Sequence, residues 1–181
     1  TYAAMHRAIE QLQIKPDLAL VDGNRAGDFG VKVMGTERLL TRPQEKLAFG
    51  NVCDQGLAHY GANVTYHIDV ETQQDGCLQI RAPYYRGSLI GVSVDGKRVG
   101  RIVLPPYTLQ TERLPAGKHT VSLTLFGNRH NSFGPIHMVN PAVKWIGPNV
   151  WRTADDDWCY EYRLKPFGIL KTPDITLVRE V

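Results

Sequence analysis

Three stretches of this chain alternate between apolar and polar residues: Asn63–Val70 (NVTYHIDV), Gly87–Val94 (GSLIGVSV) and His119–Phe126 (HTVSLTLF). A two-residue period puts every second side chain on one face of an extended strand. Each run therefore predicts a strand with one face on a core and the other in water. Shorter runs predict strands over Gly30–Met34, Cys77–Ala82, Val99–Leu104, Trp158–Leu164 and Ile175–Val178, with two apolar pieces in Leu39–Phe49 interrupted by Pro43. Gln74-Asp75-Gly76, Asp95-Gly96 and Ala116-Gly117 supply the positive backbone angles that hairpins require. Pro105-Pro106-Tyr107 cannot sit in a central strand and reads as an edge or crossover. Gly50–Gly61, Gly127–Pro135 and Asn140–Asp157 read as loops. Tyr66, Leu123, Leu125 and Tyr162 are expected in the core, and the strand histidines His67 and His119 on faces that meet solvent.

The first 25 residues differ in kind. Met5, Ile9 and Leu12 recur at helical spacing among good helix formers, which predicts a helix over Tyr2–Leu12 that Pro16 ends. Leu18–Val21 reads as a short strand and Asp22-Gly23-Asn24 as a turn. The organisation expected is a helix–strand segment over residues 1–25 and one β domain over 26–181. No helices lie between the later strands, which argues against a parallel sheet. About eight to ten strands with uneven loops fit an all-β jelly-roll sandwich with a short N-terminal helix and strand.

The chain has 181 residues and a formal net charge of +3, with its basic residues dispersed. Only Lys97-Arg98 with Arg101 comes near a cluster, and it reads as a solvated face rather than a nucleic-acid patch. No apolar run is long enough for a spanning helix, and Thr1–Gln13 lacks the apolar middle of a signal peptide. Neither a nucleic-acid nor a membrane partner is expected. Cys53, Cys77 and Cys159 make an odd count without metal-ligand spacing, which suits reduced, partly buried thiols and a cytoplasmic location.

Candidate chemistry lies in the loops. Sugars are held by aromatic faces stacked on C–H groups, with polar side chains reaching the hydroxyls. Tyr60, Tyr84, Tyr85, Tyr107, Trp145 and Trp151, with Arg129, His130 and Asn131, are the candidate ligand-binding residues. Trp145 and Trp151 suit core plugs equally well, and Trp158 is expected in the core. Glycoside hydrolysis needs two carboxylates across a cleft. Spacing places no two of Asp54, Asp69, Glu71, Asp155, Asp156, Asp157 and Glu161 face to face, so no catalytic residue is assigned. Asp155, Asp156 and Asp157 are candidates for a structural calcium, the one cofactor considered. His130, His137 and Cys159 would form a zinc site only if the fold converged them; otherwise His137 hydrogen-bonds at the base of its loop.

Two resemblances add to this reading. Gly27-Asp28-Phe29-Gly30-Val31, Phe49-Gly50-Asn51-Val52, Tyr60-Gly61-Ala62-Asn63-Val64, Asn131-Ser132-Phe133-Gly134-Pro135 and Pro166-Phe167-Gly168 arrive in order. Together they resemble the galactose-binding-like jelly-roll domain of bacterial rhamnosidase-like glycoside hydrolases, over about residues 27–176. That resemblance implies a non-catalytic accessory module, which either binds glycan or packs against a catalytic domain. Ala3–Arg25 resembles a fragment of type-2 bacterial ribonuclease H, with Asp22 at the position of one metal-binding carboxylate. The family's Asp-Glu pair in a glycine-rich strand is missing, and one carboxylate cannot hold two metal ions. The alternatives to a glycan module are thus a chimeric or structural domain without ligand, or a ribonuclease H fragment. Self-association through an exposed strand is the remaining partner that such a fold allows.

Overall fold

The computed structural model describes residues 30–178, except 43, 141, 143–146, 152 and 154–155. The helix and strand expected in residues 1–25, Asp22 among them, lie outside the described residues. What is described is mostly antiparallel β structure. The strands are β1 (Gly30–Met34), β2 (Glu37–Thr41), β3 (Val64–Thr72), β4 (Gly76–Arg81), β5 (Tyr85–Arg86) and β6 (Ile90–Val94). They continue with β7 (Lys97–Ile102), β8 (Thr108–Leu114), β9 (Gly117–Leu125), β10 (Gly168–Ile169) and β11 (Asp174–Val178). One short helix, α1 (His130–Phe133), and two 3-10 turns, Val52–Gln55 and Pro148–Trp151, complete the set. No helix among the described residues is long and apolar enough to cross a membrane.

The described residues fall into two compact units. The first holds those up to Leu47 with Cys53–Tyr60 and Arg129–Lys165; the second holds Ala48–Val52, Gly61–Asn128 and the chain from Pro166.

The second unit contains a four-stranded sheet in the order β3-β9-β6-β7, a three-stranded sheet β11-β4-β8, and the short pair β10-β5. The alternation read from the sequence accounts for its interior. Val64 and Tyr66 on β3, Ile90, Val92 and Val94 on β6, and Val121, Leu123 and Leu125 on β9 are all buried, while their sequence neighbours face outward. Leu78 and Ile80 on β4, with Phe167 and Ile169, complete the core. Burying such side chains removes apolar surface from water at roughly 25 cal/mol per Å². The expected core positions of Tyr66, Leu123 and Leu125 are met.

Two strands break the alternation by bulging. On β8, two residues, Thr111 and Glu112, stand where β4 offers only Leu78 between Cys77↔Arg113 and Gln79↔Gln110. The buried Thr111 hydroxyl accepts the Leu78 N–H at 2.9 Å and donates to the Glu112 carbonyl at 2.7 Å, so the interrupted ladder is satisfied by a side chain. The second bulge lies on β7.

Asp95-Gly96 forms the β6–β7 turn, with φ of 51° and 79°, as a type I′ hairpin requires. Asp95 Oδ1 accepts the Thr120 N–H at 2.8 Å, and its Oδ2 lies 2.7 Å from His119 Nδ1. His119 is only 7% exposed, which corrects its expected place on a solvent face. Its Nε2 sits 2.9 Å from the Pro115 carbonyl. Both ring nitrogens therefore face acceptors that cannot donate, and only the doubly protonated imidazolium bonds to both.

The hydrogen bond to Asp95, then that to Pro115, raises the His119 pKa above its ordinary 6.5, and the same contact lowers that of Asp95 below 3.8. The His119 share of stability is complete below pH 6.5 and lost as pH rises through the raised value. The Asp95 share is complete above pH 3.8 and lost as pH falls through the lowered value. A proton NMR titration is expected to place the His119 midpoint above 6.5 and to show it falling in Asp95→Asn. A midpoint at or below 6.5 in the unaltered chain would refute the pairing.

In the first unit, β1 and β2 form a hairpin, and the Tyr162 N–H donates to the Gly35 carbonyl at 3.1 Å. The Arg38 guanidinium lies 4.8 Å from the centre of the Tyr162 ring. Trp158–Leu164 is not the strand its composition suggests; a single bridge joins Trp158 to Met138. The backbone of this segment is satisfied irregularly, Cys159 N–H by the His137 carbonyl and Arg163 N–H by that of Ile136. Its rings stack locally: His137 lies 5.4 Å from Trp158 and 4.6 Å from Tyr162, and Trp158 meets Tyr160 at 4.4 Å. Tyr162 and Trp158 are consequently half-buried rather than core residues.

Candidate functional site

The sequence candidates separate into two groups. In the second unit, Tyr85 and Tyr107 meet edge to face at 5.6 Å, and the Tyr85 hydroxyl donates to the Val103 carbonyl at 3.4 Å. Burial, then the neighbouring Tyr107, raises the Tyr85 pKa. Tyr84 is held by Arg86, whose guanidinium lies 4.7 Å over the ring and donates to the hydroxyl at 3.2 Å. These rings are engaged with the protein itself, although Tyr84 keeps much of its surface exposed.

In the first unit, Arg129 lies 5.9 Å from the Phe133 ring, and Trp151 Nε1–H donates to the Phe133 carbonyl at 3.1 Å. Trp151 is 53% exposed, so it is no core plug. Asn131 was expected to reach a ligand and instead is only 4% exposed. Its amide donates to the Lys165 carbonyl at 2.8 Å and to Cys53 Sγ at 3.3 Å and accepts the Lys165 N–H at 2.9 Å, so both its protons are engaged within the chain and its burial keeps it from a sugar hydroxyl. Burial, and secondarily the nearby Lys165 charge, lowers the His130 pKa. Tyr60 is half-buried, its N–H donating to the Leu57 carbonyl at 3.1 Å.

Trp145 and Asp155 lie outside the described residues; Asp156 and Asp157 are exposed. Among the described residues no three His, Cys, Asp or Glu side chains converge on a metal-sized site, so the suggested calcium and zinc groupings find no support there. His137 donates from Nδ1 to the Cys159 carbonyl at 3.0 Å, the structural role expected of it. All three cysteines are free thiols, Cys53 and Cys77 buried and Cys159 half-buried.

The outward face of the four-stranded sheet holds a feature outside the sequence candidates. A groove of about 280 Å³ opens over β6, β7 and the end of β9. Its floor is built from small residues. Gly91 and Ser93 on β6 stand opposite Thr124 and Ser122 on β9. A side chain at Gly91 would meet the Phe126 ring at 3.3 Å, so the phenyl group lies against the bare backbone there. Phe126 is 39% exposed.

Arg98 and Arg101 line the other side. Residues three apart on a regular strand point to opposite faces. The register shows why these two do not: Arg101 pairs with Gly91 and Gly100 with Val92, but Arg98 pairs with Ser93, so Val99 is an extra residue. This bulge re-aims the strand and brings both guanidinium groups to the groove face. Gly100 stays on the inward side, where a Cβ would stand 2.5 Å from Leu109 Cδ1. The sequence shows the Arg98/Arg101 pair but not the bulge, and without it their spacing spells opposite faces.

No protein-family model matches the chain, and no curated protein does. Two solved structures are similar in part. One is a GH2 beta-galacturonidase from Eisenbergiella tayi bound to galacturonate, 19% identical with a TM-score of 0.38, covering 59% of this chain and 18% of that one. The other is a rhamnosidase from Novosphingobium sp. PP1Y, 19% identical with a TM-score of 0.46, covering 91% of this chain and 16% of that one. The chain thus spans less than a fifth of either glycoside hydrolase that it resembles.

Proposed function

We propose that this chain is a non-catalytic, carbohydrate-associated accessory module of a glycoside hydrolase, built on a jelly-roll sandwich, and that it holds glycan in the groove over β6 and β7. The nested pairing of β3 with β9 and of β4 with β8 supports the jelly roll, because that fold is a long two-stranded ribbon folded over on itself. The observation that carries the binding role is the composition of the groove. It sets an exposed phenyl ring, hydroxyls and two guanidinium groups around a glycine floor. A sugar ring presents C–H groups on one face and hydroxyls at its rim, which suits a phenyl surface beside polar donors. The lining includes no carboxylate, so its chemistry is that of binding rather than of acid–base hydrolysis.

Calorimetric titration against a panel of neutral and acidic oligosaccharides tests this. At least one glycan is expected to bind, and Phe126→Ala to weaken it about tenfold. No binding across the panel, or a Phe126→Ala variant that binds as well as the parent, would remove the proposal. In that event a second reading, packing on a catalytic domain, is favoured by Leu104, which is 75% exposed beside the exposed Val103.

A further inference from the structure

Resting on that reading, we infer that the groove selects sugars bearing an anionic group, a uronate carboxylate or a sulfate ester, through Arg98 and Arg101. The β7 bulge is the first reason. It costs a ladder position and gains one thing visible in the structure, two guanidinium groups on one face of one edge strand. Their cross-strand neighbours are Ser93 and Gly91, whose small size leaves the space above them open.

The second reason is the charge balance. Neither guanidinium has an ion-pair or hydrogen-bond partner among the described residues. β6, β7 and β9 carry no acidic residue, and three acids on the adjoining turn and strands have other partners. Asp95 is held by His119 and the Thr120 N–H, Glu112 pairs with Lys97 at 3.5 Å, and Asp69 accepts the Thr120 hydroxyl at 2.9 Å. Two like charges on one groove wall repel, and an anion seated against both relieves that repulsion. Guanidinium offers a planar fork of donors that matches the paired oxygens of carboxylate or sulfate. The Ser93 hydroxyl, which has no partner among the described residues, stands on the floor between Arg98 and Ser122. The arrangement therefore separates roles: the Phe126 ring takes the apolar sugar face, and the arginines take the acid group.

Matched ligand pairs test this in the full chain. Calorimetry at fixed ionic strength compares oligogalacturonate with its methyl ester, and a sulfated galactan oligosaccharide with its desulfated form. One charged member is expected to bind roughly tenfold or more tightly than its neutral twin, and which pair does so identifies the anion. Arg98→Gln and Arg101→Gln are expected to pull that ratio toward one by weakening the charged member more than its neutral twin, with the melting temperature unchanged. Equal binding of both members of each pair overturns the inference while leaving the glycan module standing. So does a ratio that survives in both glutamine variants. Equally tight binding to a DNA duplex overturns it too, since a generic polyanion surface would then suffice. Absence of all glycan binding removes the module reading itself, a result distinct from the others.

Discussion

Gly168→Ala is expected to lower stability by roughly 3–5 kcal/mol, the sum of a strained backbone and a steric clash. Gly168 has φ of +135°, a region that residues with a Cβ rarely adopt. A methyl group there would also stand 2.3 Å from the Gly50 carbonyl oxygen. Neither partner can step aside. The Gly50 N–H donates to the Ile169 carbonyl at 2.8 Å, the Val52 N–H to that of Phe167 at 2.8 Å, and the Phe167 N–H to Asn51 Oδ1 at 3.1 Å. This clamp seats Val52, Phe167 and Ile169, all buried, so a shift that relieves the clash unpacks the core of the second unit. Gly117→Ala separates the two contributions, because Gly117 has a similar φ of +143° with nothing within 4 Å of the added carbon. Urea denaturation is expected to show Gly168→Ala well below Gly117→Ala. Equal losses in the two variants would show that the clamp yields and the clash counts for little.

The alternating runs made most of the second unit legible. Wherever one face of a strand meets a core and the other meets water, the period-two pattern survives in the sequence, as it does in β3, β6 and β9. β8 is one of the strands that no alternating run announces. Its bulge at Thr111–Glu112 resets the alternation midway, and its register is completed by a threonine hydroxyl that no periodicity encodes. The same device hid the groove, since Val99 converts an opposite-face spacing into a shared face. In the first unit the difficulty is of another kind. Trp158–Leu164 is rich in strand-forming aromatics, yet its rings pack on one another and on His137 rather than across a ladder. His119 was misplaced because its partner Asp95 lies in a turn 24 residues away, and only the hairpin brings the carboxylate to the ring. Asn131 shows the converse error, a polar loop residue whose type suited a ligand but whose bonds serve the chain.

Asn131 is for that reason the place where a change of one atom is expected to matter most in the first unit. Its side chain acts as an extra strand for Lys165, giving an N–H to the carbonyl at 2.8 Å and taking the N–H at 2.9 Å. The second amide proton reaches Cys53 Sγ at 3.3 Å. The Asn131 carbonyl accepts from His59 Nδ1 at 2.8 Å, and the Ser132 hydroxyl donates to the His59 carbonyl at 2.6 Å. Asn131→Leu keeps the volume and removes both bonds to Lys165, whose N–H loses its partner while its carbonyl keeps the Cys53 thiol at 3.6 Å; at about 1–3 kcal/mol for a group left unpaired, the loss is roughly 2–4 kcal/mol with the lost sulfur contact. Asn131→Asp keeps the shape and removes both donors, so an ionised carboxylate would face the Lys165 carbonyl. That repulsion and burial raise the introduced carboxyl's folded-state pKa above its unfolded value of about 3.9. Protonation restores one donor, so the variant is least stable at neutral pH and recovers as pH falls through the raised value. Urea denaturation at pH 7 and at acid pH is expected to show this recovery in Asn131→Asp and none in Asn131→Leu, with faster hydrogen exchange at the Lys165 amide in the leucine variant. A loss below about 1 kcal/mol in both variants, the size of one ordinary exposed hydrogen bond, would mean that the Asn131 side chain does not hold the Lys165 segment in place.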